Sequence, residues 1–149
     1  MGAWIMLMLA KRIPQKISAI IGLAPAPDFP KLLIWDKMTG SEKRKLIKNK
    51  TTTIRYEDGS KNNFSYKLIK DSFKNLTLLE SIYFNGPVYL YHGMADDAVP
   101  YDLSIKIIKT FRGTKDIKLL LDKEAGHRLS EADQLKNITN IIEEIKTKI

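Results

Sequence analysis

Three short apolar runs, each followed by a different kind of segment, constrain the fold of this chain more than any other feature of its sequence. The runs are residues 17–23, the segment GPVYLYHG at residues 86–93 and the segment DIKLLLD at residues 116–122. The first run is nearly continuous in apolar residues, which is typical of a strand buried on both faces, and the other two are predicted to be strands as well. Since strands that alternate with helices form parallel sheets, we predict an α/β fold in which parallel strands alternate with helices.

Helical patterns surround these runs. Residues 2–12 predict a helix that ends before Pro14. Residues 100–111 and 130–149 repeat apolar residues at helical spacing, so each predicts an amphipathic helix. Residues 26–85 have a different character, with several prolines and a long charged run. We interpret residues 26–85 as a helical, cap-like excursion between two strands, rather than as a separate domain.

The first ten residues, MGAWIMLMLA, are almost entirely apolar. A secretory signal would place positive charge before such a run, whereas Lys11 and Arg12 follow it. A membrane span needs about 20 apolar residues, and this run is half as long. We therefore expect a core helix whose usual upstream packing partner is absent, and no membrane span.

Composition narrows the possible functions. The net charge of +8 could attract nucleic acid, but basic and acidic residues are mixed along the chain. The densest basic cluster comprises Lys43, Arg44, Lys45, Lys48 and Lys50. Because no aromatic residue is interleaved with these cations, a solvated helix face is favoured over a nucleic-acid site. The absence of cysteine excludes disulfides and thiolate metal sites, and makes a cytoplasmic location the expected one. Two histidines make a poor metal site and no phosphate loop is present, so no metal and no cofactor are expected.

Two segments carry candidate catalytic residues. HGMADDAVP follows one predicted strand and provides Asp96 and Asp97, while EAGHRLSE follows the next and provides His127. Because ligands in such folds lie beyond the carboxyl ends of the strands, we expect a carboxylate and an imidazole on the same rim. Alone, the acidic residues could cap a loop or helix, and His127 could be a solvent-exposed loop residue. Together they are typical of the acid–histidine half of a nucleophilic triad. His92 is interpreted as structural, although it is a rival to His127.

These segments resemble the α/β-hydrolases. HGMADDAVP matches the family pattern His-Gly-x-x-Asp-x-x-Val-Pro at every fixed position, and Gly126-His127-Arg128 matches the loop that carries the family's histidine. The resemblance implies that residues 1–149 are the C-terminal part of an α/β-hydrolase domain. It also implies that Asp96 is the triad acid and His127 the general base.

The segments GAWIMLMLA, APAPDF and HGMADDAVP are further similar to one subgroup, the acyl-glucuronide esterases and palmitoyl-protein thioesterases of mitochondria and their bacterial relatives. This resemblance implies a serine hydrolase of small acyl esters or thioesters that needs no cofactor. In such an enzyme residues 26–85 would form the cap. Trp35, Phe64 and Phe73 would then be candidates to line the acyl pocket, with ordinary core packing as the alternative.

The nucleophile is where the chain departs from the family. In the elbow Gly-x-Ser-x-Gly, the serine lies on a sharp strand-to-helix turn. Gly2 resembles the last glycine, and Met1 resembles the residue after the serine, whose backbone N–H contributes to the oxyanion hole. The N-terminal half, including the elbow, is therefore expected to be missing, since Ser104 and Ser130 have no elbow around them. We expect little or no hydrolase activity from the chain by itself. A separately encoded N-terminal half, a decayed gene and a truncated gene model all stay open.

Other functions also stay open from the sequence. A non-catalytic remnant or a partner-binding α/β domain is the main alternative to a hydrolase half. A basic nucleic-acid-binding module is less favoured, because no helix-turn-helix, zinc or RNA-binding motif is found. An aspartate nucleophile, as in dehalogenases and epoxide hydrolases of the same fold, also agrees with these residues.

Overall fold

The central sheet is built from the three apolar runs recognised in the sequence. The computed structural model describes residues 1–56 and 59–149. The helices are α1 (Gly2–Arg12), α2 (Gly40–Asn49), α3 (Tyr66–Ser72), α4 (Asp102–Thr110) and α5 (Ala132–Lys146), with a 3-10 turn at Pro14–Lys16 and a π-helical segment at Pro30–Trp35. The strands are β1 (Ile20–Leu23), β2 (Thr51–Arg55), β3 (Lys61–Ser65), β4 (Ile82–Phe84), β5 (Val88–Gly93), β6 (Phe111–Gly113) and β7 (Ile117–Asp122).

Strand β5 lies in the middle of a parallel sheet with the order β1-β5-β7. Its six residues are all buried. The register pairs Leu23 of β1 with Tyr91, and pairs Gly93 with Asp122 at the end of β7. The loops that follow β5 and β7 therefore leave the sheet side by side, which is where ligands bind in folds of this class.

Helices cover both faces of this sheet. Side chains alternate along β5, so Val88 and Leu90 face one side while Tyr89 and Tyr91 face the other. The first face packs against α1 and α4 in one cluster of buried residues: Leu7, Ala10, Ile20, Ile82, Phe84, Val88, Leu90, Ile107 and Phe111. On the second face, Tyr91 belongs to a cluster that includes side chains of α5. The prediction of an α/β fold with parallel strands is confirmed.

Strands β4 and β6 form a second parallel pair that the sequence did not indicate. Each has only three residues, too few to show a periodic pattern. Phe84 and Phe111 from these strands meet edge to face, with ring centroids 6.2 Å apart, and both belong to the cluster of α1 and α4.

Residues 28–76 form a compact unit of their own, and residues 1–27 with 77–149 form the other. The core of the first unit is centred on Ile34, Leu46 and Ile69. The predicted excursion at residues 26–85 is helical only in part, because β2 and β3 form an antiparallel hairpin within it. The physical reason is the run of β-branched residues at 51–54, which favours a strand. The segment EDGS at residues 57–60 is typical of a turn, but its first two residues, Glu57 and Asp58, lie outside the described residues.

Helix α1 is apolar on more than the face that it buries. Leu7 and Ala10 are fully buried, whereas Ile5 and Leu9 are 47% and 44% exposed. Among the described residues, no helix is long and apolar enough to cross a membrane. Helix α1 therefore has apolar side chains at the surface of this chain, Ile5 and Leu9 among them.

Candidate active site

Asp96 lies three residues beyond the end of β5 and is held by its own loop. Its Oδ1 accepts hydrogen bonds from the backbone N–H groups of Ala98 at 2.9 Å and Val99 at 2.8 Å. An aspartate that binds backbone N–H groups two and three residues ahead stabilises a tight turn. Asp96 therefore does cap its loop, as the structural alternative proposed, but this uses only one carboxylate oxygen.

The second carboxylate oxygen of Asp96 contacts His127 in the loop after β7. His127 Nδ1 lies 2.8 Å from Asp96 Oδ2. The Asp96 side chain is fully buried, whereas the His127 side chain is 46% exposed. Because a carboxylate only accepts hydrogen bonds, Nδ1 of His127 carries the proton. In the part of the chain that the structure describes, no hydrogen bond engages the other ring nitrogen, Nε2.

The charge of Asp96 is stabilised where it lies. Burial alone would raise the pKa of this carboxyl group. Hydrogen bonds from His127, His92 and the Val99 N–H outweigh burial and hold the pKa well below its usual range. Asp96 is therefore ionised at every pH at which the protein would ordinarily function.

The ionised carboxylate in turn affects His127. Its hydrogen bond raises the pKa of the imidazole, burial opposes this, and the nearby charge of Asp97 adds to the rise. The positive amino group of Met1 lowers the pKa of the same ring. A stabilised imidazolium is what a general base needs when it takes a proton in a transition state.

Gly93 allows the two loops to meet. A Cβ atom at this position would lie 2.0 Å from the carbonyl oxygen of Ala125 and 2.5 Å from its carbonyl carbon. The same carbonyl accepts a hydrogen bond from the N–H of Ala95 at 3.1 Å. The loop that carries Asp96 is thus joined to the loop that carries His127, and only glycine fits at the point of closest approach.

The left-handed backbone in the His127 loop is not at its glycine. A glycine in a loop favours a tight turn, but Gly126 does not have a positive φ; Leu129 does, at +49°. Leu129 is 3% exposed and packs with Ala24, Tyr91 and Ala125. Burial of the leucine side chain offsets a backbone strain of about 1–2 kcal/mol.

His92 is fully buried and also contacts Asp96. Its Nε2 lies 3.1 Å from Asp96 Oδ2 and 3.0 Å from the carbonyl oxygen of Val99, and its Nδ1 lies 2.7 Å from the Ser104 hydroxyl. Both histidines therefore bind the same carboxylate oxygen, but only His127 reaches solvent. Ser104 contacts His92 rather than His127. No periodicity in the sequence indicated the contact between Ser104 and His92, since Ser104 lies on α4, 12 positions after His92 on β5.

Met1 lies close enough to His127 for its amino group to influence the imidazole. The carbonyl oxygen of Met1 accepts hydrogen bonds from the N–H groups of Trp4 at 3.0 Å and Ile5 at 3.2 Å, as the first turn of α1 requires. No described atom lies within 4 Å of a Cβ built on Gly2, so close packing against this glycine is not seen within residues 1–56 and 59–149. The oxyanion role of Met1 stays a prediction.

The three aromatic residues predicted to line an acyl pocket lie in the unit of residues 28–76. The ring of Trp35 meets that of Phe73 edge to face at 5.9 Å, and Phe64 meets Phe29 in the same way at 5.8 Å. Trp35 and Phe64 are half-buried against the core of this unit, and Phe73 is 42% exposed. These contacts agree with ordinary packing inside the unit, and the pocket role stays a prediction.

The basic cluster lies on α2, and its members are mostly exposed. Lys43 lies over the ring of Trp35 at 5.1 Å, and Lys50 lies over Tyr66 at 5.7 Å. Two of the five cations therefore pack on aromatic faces of their own unit. Within the described ranges, no group of three or more histidine and acidic side chains could hold a metal ion.

Comparisons with known proteins agree with this geometry. The model of the prolyl oligopeptidase family matches residues 35–144. The mitochondrial palmitoyl-protein thioesterase ABHD10 is 29% identical in Homo sapiens and 28% in Pongo abelii, over 100% of this chain and 49% of each relative. This chain thus spans about half the length of these curated relatives.

Solved structures show the same fold. An Agrobacterium vitis S4 protein described as a hydrolase has a TM-score of 0.88 and 29% identity, over 97% of this chain and 58% of its own. The α/β-hydrolase domain-containing protein 10 from mouse has a TM-score of 0.86 and 24% identity, with the same two coverages. The predicted resemblance to part of an α/β-hydrolase is confirmed.

Proposed function

This chain belongs to the prolyl oligopeptidase family and has an α/β-hydrolase fold, and from this premise we propose that it is the acid–base half of a serine hydrolase of carboxylic esters or thioesters. Asp96 is the acid and His127 is the general base. The observation that carries the proposal is the 2.8 Å hydrogen bond from the half-exposed imidazole to the buried carboxylate. An imidazole held at Nδ1 by a carboxylate presents Nε2 to a hydroxyl group.

The proposed reaction has two halves. Nε2 of His127 removes the proton of a serine hydroxyl as the serine oxygen attacks the acyl carbonyl carbon. The imidazolium then donates this proton to the leaving alcohol or thiol as the carbon–oxygen or carbon–sulfur bond breaks. In the second half, His127 takes a proton from a water molecule as the water oxygen attacks the acyl carbon. The imidazolium then returns this proton to the serine oxygen as the bond between the acyl group and the serine breaks, which releases the carboxylic acid. Asp96 stays ionised throughout, and the chemistry needs no cofactor or metal.

We place the serine in an N-terminal half of the domain, on a segment that precedes position 1 in the intact enzyme or is made separately. The chain covers about half of its curated relatives, which supports a larger functional unit. The exposed Ile5 and Leu9 of α1 offer an apolar face for it, and β1 lies at the edge of the described sheet. The positive charge of the Met1 amino group lowers the pKa of His127, which supports a serine on a segment near the start of α1. On this proposal the chain alone has little or no hydrolase activity.

The names of the curated relatives support a proposal for the class of substrate. ABHD10 carries the name of a palmitoyl-protein thioesterase, so we propose an acyl ester or thioester as the substrate. Trp35, Phe64 and Phe73 are the proposed lining of the acyl pocket. The proposal needs no nucleic acid, and the α2 cations are treated as a solvated face. A cytoplasmic location stays a prediction from the absence of cysteine, while the curated relatives are named as mitochondrial.

Reconstitution tests the proposal. The coding DNA upstream of Met1 is read in three frames, and the encoded segment is produced and mixed with this chain. We expect the mixture to hydrolyse a p-nitrophenyl ester and a palmitoyl thioester, and each half alone to be nearly inactive. His127→Ala should abolish the activity, and Asp96→Asn should lower kcat by about 10⁴-fold because it imposes the wrong tautomer. Asp97→Asn is the matched control and should retain most activity, since Asp97 acts on His127 only through its charge.

The hydrolase assignment, the identity of the nucleophile and the substrate class can each be overturned by a separate outcome. If no strand followed by Gly-x-Ser is encoded upstream, or if His127→Ala retains the activity, the hydrolase assignment fails. Labelling of an upstream serine by a fluorophosphonate supports serine as the nucleophile, whereas dehalogenation of a haloalkane by the mixture would indicate an aspartate. Hydrolysis of a prolyl peptide without any ester or thioester would overturn the proposed substrate class.

A further inference from the structure

Ser104 and His92 extend a line of buried polar side chains behind Asp96, and the proposed reaction does not itself use these two residues. Ser104 and His92 are fully buried, and their side chains are 2.7 Å apart at Oγ and Nδ1. Burying polar groups costs free energy that an apolar pair would avoid. Since β5 is otherwise Val, Tyr, Leu, Tyr and Gly, the polar pair needs an explanation that packing does not provide.

The contacts of His92 determine where its proton lies. Nε2 faces two acceptors, the Val99 carbonyl oxygen at 3.0 Å and Asp96 Oδ2 at 3.1 Å. Only an N–H group can bind both favourably, so Nε2 carries a proton. In the neutral ring Nδ1 is then bare, and it accepts the hydrogen of the Ser104 hydroxyl. The two acceptors at Nε2 thus fix the tautomer that donates to Asp96, and Ser104 supplies the hydrogen-bond donor that the bare Nδ1 needs in that tautomer.

The contacts of Asp96 determine what this donation does. Oδ1 is occupied by two backbone N–H groups, so the carboxylate cannot rotate without losing them. Oδ2 receives the Nε2–H group of His92 and, at 2.8 Å, the Nδ1–H group of His127. Two donors on one oxygen compete for its charge, so His92 both orients Oδ2 and weakens its attraction for the proton of His127.

We propose that Ser104 and His92 are positioning residues for the Asp96–His127 pair. Ser104 binds the bare Nδ1 and so holds the His92 ring in place, and His92 holds Asp96 Oδ2 in place and limits the basicity of His127. This inference rests on the proposed function, in which Asp96 and His127 are the acid and the base. The other charges that act on His127, the Asp97 carboxylate and the Met1 amino group, do not change when Ser104 is replaced.

Nitrogen NMR of the histidine rings tests the proposal directly, because the chain has only two histidines. In the ¹⁵N-labelled chain at high pH, we expect His92 to show a protonated Nε2 and a bare Nδ1. An Nδ1–H tautomer of His92 would overturn the proposal without any variant. In Ser104→Ala we expect the bare Nδ1 of His92 to lose its hydrogen bond and shift its ¹⁵N signal, and the His92 ring to be held less firmly against Asp96, so that the titration midpoint of His127 rises by about half a pH unit.

Thr110→Val is the matched control. It removes a hydroxyl from the same helix, where Thr110 donates to the Lys106 carbonyl oxygen at 2.8 Å, and it should leave both histidines unchanged. If Ser104→Ala does not fold, Ser104→Cys keeps the volume with a weaker hydrogen bond and should give a smaller shift in the same direction. Unchanged spectra in a folded Ser104 variant would overturn the positioning role. The NMR test reads no activity, so a shifted His127 with no reconstituted hydrolysis would refute the proposed function alone.

Discussion

Replacement of Gly93 by alanine tests how the loop that carries Asp96 is joined to the loop that carries His127. The added Cβ would meet the Ala125 carbonyl oxygen at 2.0 Å and its carbonyl carbon at 2.5 Å, against at least 3.4 Å for an ordinary contact. The Ala125 carbonyl group must therefore move by at least about 1.4 Å. The obstructing atoms are backbone, so no side-chain rotation can relieve the contact.

The expected loss of stability follows from this displacement. A shift of that size breaks the 3.1 Å hydrogen bond from Ala95 N–H to Ala125 O, at a cost of about 1 kcal/mol. Overpacking of the buried strand end adds about 1–3 kcal/mol. We expect Gly93→Ala to lower the free energy of unfolding by about 2–4 kcal/mol in a urea titration. Because Ala125 lies two residues before His127, we also expect the pKa of His127 to fall toward its ordinary value.

Gly126→Ala provides the matched control in the same loop. A Cβ at Gly126 would meet only the Ala95 carbonyl oxygen, at 4.0 Å, and Gly126 does not have a positive φ. This variant should keep the stability within about 1 kcal/mol of the parent and leave the titration of His127 unchanged. Equal effects of Gly93→Ala and Gly126→Ala would refute the reasoning, because close approach would then not distinguish the two glycines.

Two further predictions concern the same region. Leu129→Gly and Leu129→Ala both lose buried side-chain area, but only glycine is unstrained at φ +49°. We therefore expect Leu129→Gly to be more stable than Leu129→Ala by about 1 kcal/mol in urea unfolding. The usual order, with alanine more stable, would contradict the inferred backbone strain. The Asp96–His127 pair should make stability depend on pH in both directions. The pKa of His127 is raised on folding, so its contribution is complete below its ordinary value of 6.5 and is lost as the pH rises through the raised pKa. The pKa of Asp96 is lowered on folding, so its contribution is complete above 3.8 and is lost as the pH falls below that value. The free energy of unfolding, measured from pH 3 to 9, should fall toward both ends of this range. Asp96→Asn should remove both pH dependences. If they are unchanged in Asp96→Asn, groups other than this pair cause them.

Most of the fold could be predicted because its signals are local. The apolar runs that became β1, β5 and β7 are visible in the sequence itself, although only β5 is buried along its whole length, and the helices between them repeat at 3.6 residues. The hairpin of β2 and β3 was missed because its residues are mostly exposed, so no apolar alternation distinguished it from a helix. The β4–β6 pair was missed because three-residue strands depend on a partner that is distant in the chain.

The candidate site, like the fold, could be predicted from the sequence only in part. Asp96 and His127 could be named from the sequence, because parallel strands place the loops after their carboxyl ends on one edge. Their hydrogen bond, and the choice of Nδ1 as the atom that makes it, depend on loops that meet at Gly93 and Ala125. The sequence by itself thus determined where the strands of the central sheet lie and which residue types follow them. Only the tertiary structure decided that Ser104, His92, Asp96 and His127 share one line of contacts, because hydrogen bonds between residues 12 and 31 positions apart form only after the chain has packed.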